Sequence, residues 1–214
     1  MPQAVLPCLH CIERRKAVTH TEKKLFLIGP AGSGKSSLIR EVFGEKLASA
    51  GGFVTGIAAD AAGCPIGWSL SPAASAGGVE GFEQELYLDC RVYPPVKHHE
   101  VFRQTGVRLL EEAVWYPFAL LDELGGYELV IPEFSAALES FLRSGLPCVG
   151  ALRSPEDAEQ LRSLLGLSDR YPKKLEALLA SLRRDSDCRI IELRENNAFE
   201  VRRLLTAWAE QYAG

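Results

Sequence analysis

One stretch limits the folding choices of this chain more than any other: "KLFLIGPAGSGKSSLIREVF", residues 24 to 43. A short apolar run ends at Gly29, a glycine-rich turn follows, and Leu38, Ile39, Val42 and Phe43 then recur on one helical face. "GPAGSGKS", Gly29 to Ser36, satisfies G-x-x-x-x-G-K-[ST] in full, with the strand before it and the helix after it that the pattern requires. Glycine at 29, 32 and 34 opens backbone conformations closed to other residues, so that amide groups can close on phosphate oxygens, with Pro30, Ala31 and Ser33 completing the loop. The helix N-terminus adds partial positive charge at the same place. Lys35 is expected to reach the β- and γ-phosphates, Ser36 to bind Mg2+, and Ser37 to touch the α-phosphate.

The rest of the chain fits an α/β domain. "GGFVTGIAA" and "PIGWSL" predict a hairpin around Ala62-Gly63, and "ELYLD" another short strand. The Gly/Ala/Ser-rich segment 71–81 predicts a mobile loop. A helix is expected from His99 to about Trp115, and "PEFSAALESFLRSG" predicts another, burying Phe134, Ala137, Leu138, Phe141 and Leu142. "FALLDE", "PCVGAL" and "RIIEL" are further strands, and "AFEVRRLLTAWAEQY" is a final helix, with Asn197 and Glu200 in a capping arrangement. Strands alternating with helices imply a mostly parallel central sheet. Residues 1–23 form an N-terminal extension and 24–214 the domain.

"FALLDELGGYEL", Phe118 to Leu129, runs an apolar strand into two acids. A magnesium held on β- and γ-phosphates needs a carboxylate at the end of a neighbouring parallel strand, and Asp122 occupies that place. Glu123, one residue further, is placed to orient or deprotonate the water attacking the γ-phosphate. Arg153 ends the next strand and is a candidate sensor of the γ-phosphate, or a polar residue opening a loop. Thr55 ends "GGFVT", in simple packing or facing the site.

With these residues in view the chain resembles the THEP-type nucleoside triphosphatases, also called cancer-related nucleoside-triphosphatases. The matching stretches are "GPAGSGKSSLI", "GGFVTG", "EVFRQTGVRLLEEA", "DELGGYEL" and "IIELRENNAFEV", from about Lys24 to Leu205. The resemblance implies a three-layer P-loop NTPase fold, RecA/AAA-like, and slow Mg2+-dependent hydrolysis of ATP, GTP and other nucleoside triphosphates to diphosphates. It supports Asp122 and Glu123 in the roles above and singles out Glu128 as the family's second glutamate, with a plain loop carboxylate the other account. Two departures stand out. "GIAADAAG" replaces the acids and arginine that usually follow "GF-x-T", and Ala198 stands where the family has an arginine.

Composition excludes several classes. A net charge of -4 and a pI near 5.7 argue against a partner of DNA or RNA. No apolar run approaches the ~20 residues that cross a bilayer. The six cysteines, without a secretory leader, point to free thiols and a cytoplasmic location. Cys8-x-x-Cys11, with His10 and His20, offers only half of a zinc site. Trp68, Trp115 and Trp208 are expected in the core or an interface, and His98-His99 in capping or surface polarity. Two alternatives to a hydrolase stay open: a small-molecule or nucleotide kinase, whose lid would draw on the five arginines that follow Arg153 up to residue 189, and a nucleotide-dependent switch. A dedicated GTPase is disfavoured because N-K-x-D is missing.

Overall fold

The structure, a computed structural model, describes residues 22–82 and 84–214. The Cys8/Cys11 pair, His10, His20 and most of the extension lie outside the described residues. The last two residues before the first strand are already tied to the domain. Trp208 Nε1 donates to the Glu22 carbonyl and the Cys148 amide to that of Lys23.

Eight strands form one sheet: β1 (Lys24–Gly29), β2 (Ala50–Ala59), β3 (Pro65–Pro72), β4 (Glu85–Asp89), β5 (Val96–Lys97), β6 (Phe118–Leu124), β7 (Cys148–Arg153) and β8 (Cys188–Glu192). Their order is β5-β4-β3-β2-β6-β7-β1-β8. From β2 to β8 every neighbour pair is parallel, whereas β3, β4 and β5 continue the sheet antiparallel from β2. The β2–β3 hairpin turns where the sequence predicts it. Asp60 closes the turn by accepting from the amides of Ala62 and Cys64. β2 runs past Thr55 to Ala59.

Helices cover both faces, giving three layers. One face carries α1 (Lys35–Phe43) and α7 (Ala198–Tyr212), packed through Leu38, Ile39, Phe43, Leu205 and Trp208 onto Leu25, Leu27, Phe118 and Leu120. The other carries α2 (His99–Val101), a π turn, α3 (Val107–Glu112), α4 (Pro132–Arg143), α5 (Pro155–Leu165) and α6 (Arg170–Arg184). These pack through residues such as Phe102, Phe134, Leu138 and Leu175 onto Phe26, Ala119 and Leu121. β6 is apolar from Phe118 to Leu121 because it is buried on both sides, as central parallel strands are.

Several expectations are corrected. Only residues 78–81 of segment 71–81 are an exposed loop: β3 extends to Pro72 and a 3-10 turn follows at Ala73–Gly77, with Ala73 and Ala74 buried. Small residues are needed there for contact, since a Cβ on Gly77 would sit 2.1 Å from the Ala48 amide nitrogen. Asn197 does not cap α7 with its side chain. Its Oδ1 accepts from the Arg194 amide and its Nδ2 donates to the Glu192 carbonyl, bracing the preceding turn. Of the two accounts of His98-His99 the surface one holds: His98 forms no side-chain cap, both residues are exposed, and the His99 ring lies 5.5 Å from that of Tyr127. Trp208 is core, but Trp115, the last residue of the 3-10 turn Ala113–Trp115, is 85% exposed. Among the described residues no helix is long and apolar enough to cross a membrane, and Cys64, Cys90, Cys148 and Cys188 are free.

Candidate active site

The phosphate loop leaves β1 and enters α1 with Gly32 and Gly34 at φ 75° and 88°, a left-handed region that glycine occupies without strain. The Leu38 amide donates to the Gly34 carbonyl, closing the first helical turn, and no side chain caps the helix. Its first amides thus face the loop's interior, where an anion is favoured. The Lys35 ammonium is buried and donates to the carbonyls of Gly29 and Pro30, 2.8 Å from each. Burial pulls its pKa down; Glu123, Asp157 and Asp122 oppose that pull and Arg153 adds to it. Pro30, Gly32, Ser33, Gly34 and Ser37 line a cavity of about 730 Å³ toward α7, while Ala31 and Ser36 turn toward a second one.

Ser36 Oγ donates to Asp122 Oδ1 at 2.5 Å. The contact spans two strands, because β7 lies between β1 and β6, so the acid strand is not the immediate neighbour that the sequence suggests. It forms because Ser36 opens α1, which crosses back over that gap. The other carboxylate oxygen of Asp122 accepts from Arg40 Nη2 at 2.8 Å. Asp122 is 2% exposed, and burial raises its pKa against the Ser36 and Arg40 contacts, which lower it. Arg40 escaped the sequence reading. Its one signal was its position four residues after Ser36, on the same helix face.

The two acids do not end the strand. β6 continues to Leu124, and its register with β7 slips by one residue between Leu121 and Leu124, a β-bulge at the acids. Glu123 has φ 60°, the one positive value at a non-glycine among the described residues. Its Oε2 accepts from Arg153 Nη2 at 2.8 Å, so the end of β7 is brought directly onto the acid pair. Asp122, Glu123, Arg40, Arg153 and Thr55 all line the second cavity, of about 630 Å³.

Glu128 is placed differently. It is 4% exposed, and Oε1 accepts from the amides of Gly125 and Gly126 at 2.8 and 2.7 Å. Tyr171 Oη donates to the Gly125 carbonyl, closing the same loop from α6. The five later arginines build no lid over the cavity. Arg162 pairs with Glu159 and Asp169, and Arg170, Arg183, Arg184 and Arg189 are exposed away from it. On the α7 side, Ala198 lines the first cavity without a charge, yet Arg194 and Arg202, four residues before and after it, line the same space.

The family model described as "NTPase" matches residues 24–170. No curated protein matches the sequence. Among solved structures, a human cancer-related nucleoside triphosphatase superimposes with a TM-score of 0.59 at 19% identity, covering 88% of this chain and 97% of that one. THEP1 from the hyperthermophile Aquifex aeolicus gives 0.57 at 16% identity, with 84% and 95% covered. These likenesses carry the fold, and the family match, spanning more than half of the chain, carries the membership. The chain belongs to the NTPase family, with the THEP-type proteins among its structural relatives, and is a nucleoside-triphosphate-hydrolysing enzyme.

Proposed function

We propose that residues 24–214 form one Mg2+-dependent hydrolase that converts several nucleoside triphosphates, ATP and GTP among them, to diphosphate and phosphate. The observation that carries this reading is the Ser36–Asp122 contact with Glu123 beside it on one cavity. A hydroxyl and a carboxylate at a helix N-terminus are the hard oxygen donors that Mg2+ takes, with phosphate oxygens and water completing its shell. Ser36 and Asp122 would hold the ion, which supplies charge neutralisation on the β- and γ-phosphates when bound.

The chain's own groups do the rest. The loop amides and Lys35 hold the phosphates. Arg153 fixes Glu123 through Oε2, so Oε1 is the oxygen offered to a water in line with the γ-phosphate. Glu123 accepts that water's proton as the water oxygen bonds to the γ-phosphorus; the bond from that phosphorus to the β–γ bridging oxygen breaks, and its electron pair leaves with the nucleoside diphosphate. Ser37, Arg194 and Arg202 face the other cavity, which suits the nucleoside. A space framed by loop and helix ends, with no N-K-x-D element, agrees with weak selection among bases. No DNA, RNA or membrane partner is needed, and free thiols suit a cytoplasmic setting.

The test is phosphate release from ATP, GTP, CTP and UTP with Mg2+. Wild type should release it slowly from several. Lys35→Ala should abolish release, and Glu123→Gln should lower it by about 10²-fold or more while nucleotide still binds. Release by Glu123→Gln at the wild-type rate would sink the assignment of the base.

A further inference from the structure

The cavity beyond the acid pair is larger than hydrolysis requires. A water fills about 30 Å³, and small-molecule sites occupy about 300 to 1,000 Å³. The cavity measures about 630 Å³. Ala31, Ser36 and the acids take one corner, where the terminal phosphate and its metal belong. The remaining wall is mainly apolar and aromatic: Phe53, Trp68, Tyr87, Phe102 and Tyr127, with Leu164 at the rim. Phe53, Phe102 and Tyr127 are buried, Trp68 is 39% exposed, and Leu164 is 46% exposed, so the aromatic surface opens to solvent on one side.

The charges of the lining narrow the chemistry. Among the described residues its cations are Arg40 and Arg153, and each is already paired, with Asp122 and with Glu123. An anionic compound would meet no uncommitted cation and would face Asp157 and Glu128 as well. A neutral one meets none of these penalties. Arg153, on the lining, keeps its Nε buried with no hydrogen-bond partner among the described residues. The Gln160 side chain adds a neutral polar group on the same lining.

We infer that this cavity is an acceptor site for a neutral hydroxyl compound carrying a flat aromatic or heteroaromatic ring, and that the enzyme transfers the γ-phosphoryl group to it. The inference rests on the proposed Mg–nucleotide site. The ring lies against the aromatic wall, and the hydroxyl takes the position of the attacking water at Glu123. Glu123 removes the hydroxyl proton and the acceptor oxygen bonds to the γ-phosphorus. The bond from that phosphorus to the β–γ bridging oxygen breaks, and its electron pair leaves with the nucleoside diphosphate. Hydrolysis is then the reaction that runs when the acceptor site holds only water. Among the described residues no arginine lid covers the cavity, which agrees with an acceptor that brings no phosphate of its own.

The experiment follows γ-labelled ATP with Mg2+ and separates labelled phosphate from labelled phosphate ester. Uridine, adenosine, pyridoxine and 4-hydroxyphenethyl alcohol serve as probes. At least one should yield an ester. Trp68→Ala, and independently Leu164→Asp at the exposed rim, should lower the ester-to-phosphate ratio about tenfold. The ratio is taken within one sample, so a loss of folded protein does not move it. Phosphate release without ester from any probe overturns the acceptor site and leaves the hydrolase standing. An ester whose ratio neither variant changes overturns its placement in this cavity. Neither product overturns both readings.

Discussion

Replacing Glu128 separates a clamp from a catalyst. Its Oε1 accepts from the buried amides of Gly125 and Gly126, and these lie two and three residues after Glu123. Glu128→Ala leaves both amides without a partner, at about 1–3 kcal/mol each, and relief of a buried acid offsets part of that loss. A net cost of about 3 kcal/mol is a large share of the ~5–15 kcal/mol that holds a domain. With a urea slope of about 2 kcal/mol/M, the unfolding midpoint should fall by about 1.5 M. Glu128→Gln keeps an oxygen for both amides and should cost no more than about 1 kcal/mol. Its phosphate release should stay within about threefold of wild type. The pH dependence gives a further check. Burial pushes the Glu128 pKa up, and the amide bonds offset that only in part. The folded protein therefore keeps this proton longer than the unfolded chain, and the associated stability is full at low pH and is lost as pH rises through the folded value. The Gln variant lacks that slope, so the advantage of wild type over it should shrink as pH rises. If Glu128→Gln keeps its unfolding midpoint yet releases no phosphate, the clamp is refuted and Glu128 belongs to the chemistry.

Three further outcomes are expected. Lys24, buried at the start of β1, donates to Asp185 at 2.6 Å and holds that carboxyl's pKa down; Asp185→Asn should cost about 1 kcal/mol near neutrality. That cost should fade as pH falls through the folded pKa of Asp185, which urea titrations at several pH values would show. Gly150→Ala would place a Cβ 2.3 Å from the Leu121 carbonyl oxygen, between the strands bearing Glu123 and Arg153; a loss of about 2 kcal/mol in stability, together with reduced phosphate release, is expected. Trp208→Ala removes a fully buried ring that packs on Phe43, Phe118 and Tyr212 and should cost about 4 kcal/mol by thermal unfolding.

What the sequence disclosed was what is local. The glycine-rich turn from β1 into α1 was legible because its residues are consecutive and its shape lies in the backbone. The acid pair stood out because two carboxylates follow an apolar run, and the structure sets both on one cavity. The hairpin at Ala62-Gly63 was legible because its turn residues sit between two β-type runs. Segment 71–81 was misjudged because small residues look alike in a loose loop and in a tight contact. Only the Ala48 backbone, 29 residues before Gly77, tells the two apart. Arg40 and Asp122 are 82 residues apart, so their pairing appears only once α1 lies across the strand ends. The aromatic wall of the cavity was not legible, since its residues come from β2, β3, β4, the π turn and the turn after β6.

The bulge explains why two adjacent acids can serve one cavity. In a regular strand consecutive side chains face opposite sides of the sheet. β6 obeys this up to the acids: Phe118 and Leu120 pack on the α1–α7 face, Ala119 and Leu121 on the face of α3 and α4. By the same alternation Asp122 points to the α1 face, where Ser36 meets it, and Glu123 would point to the opposite core. An uninterrupted strand would then return Leu124 to the α1 face, but Leu124 packs with Leu121 on the α3–α4 face. One extra residue has therefore been absorbed between them, and the positive φ of Glu123 identifies it. The extra residue lifts the second carboxylate out of the core and onto Arg153, at the mouth of the cavity that Asp122 already borders. A left-handed conformation costs a non-glycine residue about 1–2 kcal/mol, and β7 offsets it through the Arg153–Glu123 pair. Strain at this one residue is what turns two carboxylates from a strand pattern into a pair bordering one cavity, the arrangement that the proposed ion ligand and base require.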